Sequence, residues 1–345
     1  MIIRIRLLAI VALVVLLAAC GGEDEPLRGI TAIDDLRGGT IGVSSFEDTS
    51  TLELRFVLQE SYGLVAGIDF TDVTLVELPV LELLSQLRQG EVDAVLIPPG
   101  SVLTQFDEAD FRILSRVTTE MSDVTGLPVT GSLLLTYADT AETKTSGLVE
   151  LNRMLTEGMT YLRVNRDDVV GIVTAQEEVD EEAARGWWDV LDLLFGDTSP
   201  ELQEQITGIW SAALALGDIV EVPLIEELML FEANGEAPGI EVRDDGEEPD
   251  LGDRTTISLG VLDDASRRAA LYAIEQGIVG SETIDLSITF LARSELADAV
   301  SARQFDVIEA SPLAVPLGVE RELQFVILSG GVRNVDGTLL VVVNR

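Results

Sequence analysis

One phrase occurs twice in this chain. Residues 88–102 read RQGEVDAVLIPPGSV and residues 303–315 read RQFDVIEASPLAV, and each closes a longer unit built to one plan. The first unit opens at Thr40 with TIGVSSFEDTSTLELRFVLQESYGL: a short apolar run, a Ser/Thr/acid loop and a helical pattern. The second opens at Thr256 with TISLGVLDDASRRAALYAIEQGIV and repeats that succession. A strand pattern follows each (VTLVELP, IDLSITFL), then a helical one (VLELLSQLRQG, RSELADAVSARQ). Asp93 stands 53 residues after Thr40 and Asp306 stands 50 after Thr256, so the register holds to within three residues. Farther on, FRILSRV answers LQFVILSGGV, and GLPVTGSLLLTYAD answers GGVRNVDGTLLVVVN.

Apolar runs alternating with helix-length patterns predict α/β architecture, with parallel-type sheets covered by helices. Two copies predict two similar lobes; they are too few, and each too long, for a solenoid. The expected division is a signal peptide over 1–20, a tether over 21–28 and an α/β lobe over 29–137. A helical return segment over 138–235, an acidic linker over 236–254 and a second α/β lobe over 255–345 follow. The return segment carries the patterns SGLVELNRMLTEGMTYLRVN, DDVVGIVTAQ, EEAARGWWDVLDLLFG and SPELQEQITGIWSAALALG. Asp197, Thr198 or Ser199 ahead of Pro200 marks a helix start. Trp187, Trp188 and Trp210 are expected as core contacts of these helices rather than as rings stacked on a ligand. The linker, EAPGIEVRDDGEEPDLGDR, is acidic and lacks the carboxylate spacing of a calcium loop.

Charge narrows the partners. With 22 basic against 61 acidic side chains, a formal −39, the surface repels nucleic acid and offers anionic membranes nothing to attract. Lys144 is the only lysine and histidine is absent, so the acidity reads as solvation of the whole surface, suited to a salty exterior. Residues 1–20, MIIRIRLLAIVALVVLLAAC, pair Arg4 and Arg6 with an apolar run too short to span a bilayer, where about 20 residues are needed. That is the form of a signal peptide, and LAAC is similar to the bacterial lipobox, in which Cys20 is lipidated. Cys20 is the only cysteine, which excludes an intramolecular disulfide and a Cys-rich metal site. A monomer without metal or cofactor is expected, held extracytoplasmically at the cell membrane by its lipid.

The segments ITAIDDLRGGTIGVSS, LRQGEVDAVLIPPG, LVELNRMLTEGMTYLRVNRDDV and ARQFDVIEASPLAVP with SGGV resemble a known family. It comprises the substrate-binding lipoproteins of ABC importers in the nitrate, sulfonate and thiamine-precursor branch (NMT1/THI5-like, SsuA-like). The resemblance implies a two-lobe, periplasmic-binding-protein-like (type II) fold that closes on a small molecule and hands it to an ABC permease. It also implies a changed order. In the family the segment like 256–343 comes first and runs into the segment like 29–45, whereas here it comes last, as in a circular permutation. Two other readings stay open: a biosynthetic enzyme on the same fold, whose pyrimidine-forming relatives depend on histidine, and a sensor or scaffold without transport.

In open α/β sheets ligands bind beyond the carboxyl ends of the strands, and two lobes set two such edges face to face. The candidates there are Ser44, Ser45, Thr49, Ser50, Pro99, Asp263, Glu309, Ser311, Gly330 and Gly331, with no catalytic or metal set among them. The hydroxyls at 44–50 either cap a helix or leave its N–H groups to an anion. Gly330 and Gly331 either admit a ligand close to backbone or make a turn. The carboxylates, Glu47, Asp48 and Asp264 included, either face outward or favour an amine-bearing or N-heterocyclic ligand.

Overall fold

The computed structural model describes residues 29–68, 71–98, 109–176, 191–231, 254–335 and 337–344. The expected signal peptide with Cys20, the tether, Pro99, Trp187, Trp188 and all of the acidic linker except Arg254 lie outside them.

The first copy of the repeat folds as β1 (Thr40–Val43), α1 (Thr49–Tyr62), β2 (Ala66–Gly67), β3 (Val73–Glu77), α2 (Leu83–Gln89), β4 (Ala94–Ile97) and β5 (Phe111–Arg116). α3 (Val117–Thr125), β6 (Val129–Thr130) and β7 (Leu133–Tyr137) lead into α4 (Ala138–Thr143), α5 (Thr145–Val164) and α6 (Arg166–Gln176). After β8 (Leu191–Leu193), α7 (Pro200–Leu216) and α8 (Ile225–Leu228) comes the second copy. It runs β9 (Thr255–Leu262), α9 (Ala265–Glu275), β10 (Ile284–Leu291), α10 (Arg293–Ser301), β11 (Val307–Ala310), α11 (Ala314–Glu320) and β12 (Phe325–Gly330). β13 (Val332–Asn334) and β14 (Leu339–Val343) end the described chain.

Both lobes carry the same mixed sheet. The N-terminal lobe orders its strands β2-β3-β1-β4-β14-β5 and the C-terminal lobe β10-β9-β11-β7-β12. In each, the strands of the βαβ units are parallel (β3, β1 and β4; β10, β9 and β11). In each, one antiparallel strand is inserted before the last: β14 between β4 and β5, and β7 between β11 and β12. The inserted strand comes from the other copy. Lobe boundaries at 137 and 255 therefore need correcting: residues 133–137 belong to the C-terminal sheet and 339–343 to the N-terminal one. The reason is burial, since LLLTY and LLVVV have almost no polar face and need neighbours on both edges and cover on both sides. This is the expected type II arrangement of two α/β lobes joined by paired crossings.

The crossings form a waist. β6 and β13, the pieces just ahead of the two inserted strands, pair antiparallel with each other, and β8 pairs on the far side of β13. The helical pattern read through WWDVLDLLFG is thus corrected at Leu191–Leu193, which is a strand. A short apolar run does not fix its own period, and the open edge of β13 supplies a partner. Arg333 on β13 then takes both Asp192 on β8 and Glu201 at the start of α7.

Helix ends follow local chemistry. Ser199 caps α7, its Oγ accepting from the Leu202 N–H at 3.3 Å with Pro200 at the first helical position. Asp264 caps α9 through the Arg267 N–H at 3.0 Å. Trp210 on α7 is fully buried, and its Nε1–H donates to the Pro312 carbonyl at 2.9 Å. The indole pins the return segment to the loop before α11, a core role as expected for this ring.

Candidate functional site

Six parallel strands point their carboxyl ends at the gap between the lobes. The residues just beyond or at those ends, Ser44, Glu77 and Pro98 on one side and Leu262, Arg293 and Ser311 on the other, line two adjoining cavities. The inner cavity is about 80 Å³ and the outer about 680 Å³, with Asp48, Arg293, Leu296, Glu309, Ala310 and Ser311 common to both.

The wall of the inner cavity is a buried ion pair. Glu309, at the end of β11, is 2% exposed and Arg267, in the first turn of α9, is 7% exposed. Arg267 Nη2 meets Glu309 Oε1 at 2.5 Å and its Nε lies 3.0 and 3.1 Å from the two carboxylate oxygens. Ser132 Oγ donates to Glu309 Oε1 at 2.5 Å and the Leu262 N–H donates to Oε2 at 3.1 Å. Arg267 Nη1 reaches Asp264 at 2.8 Å. Burial alone pushes the Glu309 carboxyl up, but the guanidinium, the Ser132 hydroxyl and the Leu262 N–H outweigh it and hold it below the usual carboxylate range. Burial opposes the charge on Arg267 as well, and Asp264 and Glu309 more than offset it.

The facing wall is the start of α1. Thr49 Oγ1 has one proton, which it donates to the Gly131 carbonyl at 2.9 Å, so Ser311 Oγ is the donor in the 3.0 Å contact between the two hydroxyls. Asp48 occupies the cap position of α1 without capping it; its Oδ2 accepts from Ser44 Oγ at 2.7 Å and from Arg293 Nη1 at 3.2 Å. At the mouth, Arg321 Nη2 meets Glu47 Oε1 at 2.5 Å. Contacts therefore cross from lobe to lobe at this face, among them Thr49 to Ser311, Asp48 to Arg293 and Glu47 to Arg321.

Of the residues chosen from sequence, Ser44 and Ser45 line the outer cavity, Thr49 and Ser50 the inner, and Glu309 and Ser311 both. Ser45 serves its own loop, its Oγ accepting from the Glu47 N–H at 3.2 Å. Asp263 lines neither cavity and pairs with Arg268 at 2.7 Å. Gly330 and Gly331 also stand outside both; a Cβ on either would come within 2.6 Å of Leu194 or Ser132, so they admit neighbouring chain instead of ligand. Every acid on which an amine ligand was predicated has an arginine partner: Asp48, Glu47, Asp263, and Asp264 with Glu309 on Arg267. Sequence reasoning missed Arg267 and Arg293. Arg293 was within reach of the strand-end rule, since it stands two residues past the end of β10.

Residues 25–165, less than half of the chain, match the protein-family model described as NMT1/THI5 like. That agrees with the resemblance over this segment, which includes the first of the twin phrases. No curated protein matches the chain. Among solved structures, the periplasmic aliphatic sulphonate binding protein SsuA from Escherichia coli is similar at 11% identity and a TM-score of 0.29, over 88% of this chain and 64% of that one. The alkanesulfonate-binding protein SsuA from Xanthomonas axonopodis pv. citri, bound to MOPS, gives 10%, 0.30, 88% and 64%. An ABC transporter periplasmic binding protein from Brucella ovis with glutathione bound gives 9%, 0.35, 89% and 62%. The chain spans less than two thirds of the length of these three proteins.

Proposed function

We propose that this chain, NMT1/THI5-like over its matched segment, is an extracytoplasmic receptor. It closes two lobes on a small polar metabolite and delivers it to an ABC importer. The observation that carries the reading is the cavity pair at the meeting of six strand ends, walled by both lobes, with the β6–β13–β8 waist and the Trp210–Pro312 contact joining the lobes beside it. In this reading the lobes close by hinge motion, and the contacts from Thr49, Asp48 and Glu47 to the opposite lobe are those that closure makes. Its chemistry is recognition; the charged pair at the wall, Arg267 with Glu309, is spent on itself and has no free base to offer. Cys20 supplies the lipid anchor in this reading, and among the described residues no helix is long and apolar enough to cross a membrane.

The test is native mass spectrometry of the protein as purified, followed by small-angle scattering before and after the bound molecule is removed. A stoichiometric small molecule and a larger radius of gyration in the stripped protein are expected. A stripped protein that regains neither ligand nor compactness on return of that molecule speaks against the receptor. Uptake of the labelled molecule by cells with and without the gene tests delivery.

A further inference from the structure

We infer that the protein pairs with a second copy of itself through β10, antiparallel to its own equivalent, joining two C-terminal sheets across their open edges. No residue of β10 lines either cavity, so this pairing does not depend on the receptor reading.

Four strands end the two large sheets, and three of them are blunted. β2 has two residues. β5 carries an extra residue, Leu114, between its pairs with Leu340 and Val341. β12 carries one as well, Leu328, and the Leu230 N–H donates to its Ile327 carbonyl at 2.9 Å from the outer side. β10 has none of these devices. Its eight residues, IDLSITFL, run in unbroken register along β9 and include no glycine, proline or lysine. Such an edge is a template for another strand.

Backbone direction fixes which groups are free. The Thr283 and Leu291 carbonyls accept from the Thr255 and Asp263 N–H groups of the β9 side, so odd-numbered residues of β10 turn their N–H and C=O inward and even-numbered ones turn theirs out. Ile284 is already taken: its N–H donates to Ser281 Oγ at 3.3 Å and its carbonyl accepts from Arg254 Nη2. Leu286, Ile288 and Phe290 keep outward groups with no partner among the described residues. Their centre is Ile288. A copy turned about a two-fold axis at that residue matches all three, Ile288 to its equivalent and Leu286 to Phe290 in each direction, with about six hydrogen bonds, two per pair.

The side chains fit the same register. Leu286, Ile288 and Phe290 are half-buried against the core of α5 and α9, with the Arg268 guanidinium 4.3 Å from the Phe290 ring. Pairing sets Leu286 against Phe290 and Ile288 against Ile288, apolar cross-strand contacts of the kind that stabilise sheets. On the exposed face Ser287 meets Thr289 and Asp285 meets Leu291. No carboxylate faces another, and Asp285 is held by Arg254 at 3.0 Å. A strand of other sequence has no reason to meet these conditions; β10 meets them with itself.

Net charge opposes the dimer. Each copy carries a formal −39, and the Debye length falls from about 10 Å at 0.1 M salt to about 3 Å at 1 M, so association is expected to strengthen with salt. The monomer expected from the sequence is then the low-salt form.

The test is sedimentation equilibrium of the full-length chain carrying Cys20→Ser, which leaves no thiol, in 0.1 and 1 M KCl. The mass is expected to climb toward that of two chains in the higher salt. Ser287→Glu with Thr289→Glu sets like charges opposite each other and is expected to weaken association about tenfold, while Ser287→Glu with Thr289→Lys restores it. Both positions are exposed, and circular dichroism checks that the fold is kept. Oxidation reads the register: chains with Ser287→Cys mixed with chains with Thr289→Cys are expected to cross-link about tenfold faster than either alone. A residue and its own equivalent there lie about 7–8 Å apart, beyond the roughly 4.4–6.8 Å that a disulfide spans. A dimer indifferent to both charge variants, or cross-linking as fast in single as in mixed populations, overturns the inference. A monomer in 1 M KCl overturns it too, whether amide exchange at Leu286, Ile288 and Phe290 is slow, another segment then covering the edge, or fast, the edge then standing open.

Discussion

Asp93 and Asp306 perform one task in two lobes. Asp93 Oδ2 accepts the backbone N–H of Thr40 at 2.8 Å, and Asp306 Oδ2 accepts that of Ser258 at the same distance. Each carboxylate thus ties the end of the second helical pattern to the first strand of its βαβαβ unit, closing the unit on itself. The phrase repeats because the clasp repeats. The second clasp is stronger: Ser258 Oγ donates as well at 2.9 Å, and Lys144 Nζ reaches the other oxygen at 2.8 Å, tying α5 to the strand pair.

Acid should release the second clasp. Burial would raise the Asp306 carboxyl, but the Lys144 ammonium and the Ser258 N–H and O–H outweigh it, so the group lies below its ordinary value. A carboxyl depressed in the fold stabilises it at every pH above the unfolded-chain value, near 3.9, and ceases to do so as pH falls through the depressed folded value. Asp306→Asn is expected to cost about 1.5–3 kcal/mol at pH 7 and much less near pH 3. Urea unfolding of both proteins at the two pH values measures it, and a difference that does not shrink in acid removes the clasp from the account.

The cavity wall is costly to break from one side. Glu309→Ala leaves Arg267 buried against Asp264 alone and is expected to destabilise by about 3–5 kcal/mol. Replacing both partners, Arg267→Met with Glu309→Leu, is expected to recover most of that loss, since no charge is then stranded. A double variant as unstable as the sum of the singles contradicts this.

The repeat made most of this legible in the sequence, because a βαβαβ plan read twice fixes strand direction, helix cover and the edge where ligands sit. What the sequence hid were pairings between the copies. LLLTY and LLVVV read as strands, but nothing local says that each enters the other lobe's sheet; only the shared need for a buried central position does. The same holds at Gly90 and Arg303, each three residues ahead of its clasp aspartate, which both take positive φ, +78° and +52°. Glycine announces that geometry. Arginine does not, and its guanidinium lies 4.5 Å over the Tyr137 ring and pairs with Asp139 instead. At the site, hydroxyls, acids and Arg293 at strand ends were within reach of the sequence, while the pairing of the acids with arginines was not, because pairing depends on which helix turn faces which loop.

Salt should loosen the cleft. The Glu47–Arg321 pair is half exposed on both sides, so it contributes only about 0.2–1 kcal/mol and is screened as the Debye length falls to about 3 Å at 1 M salt. Spin labels on opposite lobes of the stripped protein are expected to report more open molecules as salt rises. Glu47→Gln is expected to lower the closed-to-open ratio about fivefold at most and to blunt that salt response. Identical salt curves for the two proteins would show that the pair plays no part in closure.

The last prediction concerns chain order. β14 ends the described chain in the N-terminal sheet, with Val342 opposite Arg112 and the Asn344 N–H donating to the Asp110 carbonyl at 2.7 Å. The same Arg112 sends Nη2 to the Ile30 carbonyl at 2.7 Å. One side chain therefore touches the first described residues while its backbone neighbours the last, and β14 stands where a chain passing from the C-terminal lobe continues into β1. We propose on this ground that the order is permuted relative to the family it resembles. A linker of about six residues reaches roughly 20 Å, more than one arginine side chain plus the roughly 5 Å between paired strands. A gene that joins Asn344 to Gly29 through such a linker, and opens the chain between 236 and 253, is expected to yield a protein with the same ligand. Its unfolding midpoint should be at least equal, because native termini that lie close tolerate this exchange. If the rejoined chain is insoluble, or folds and binds nothing that the original binds, the two copies do not form one hinge in the permuted order.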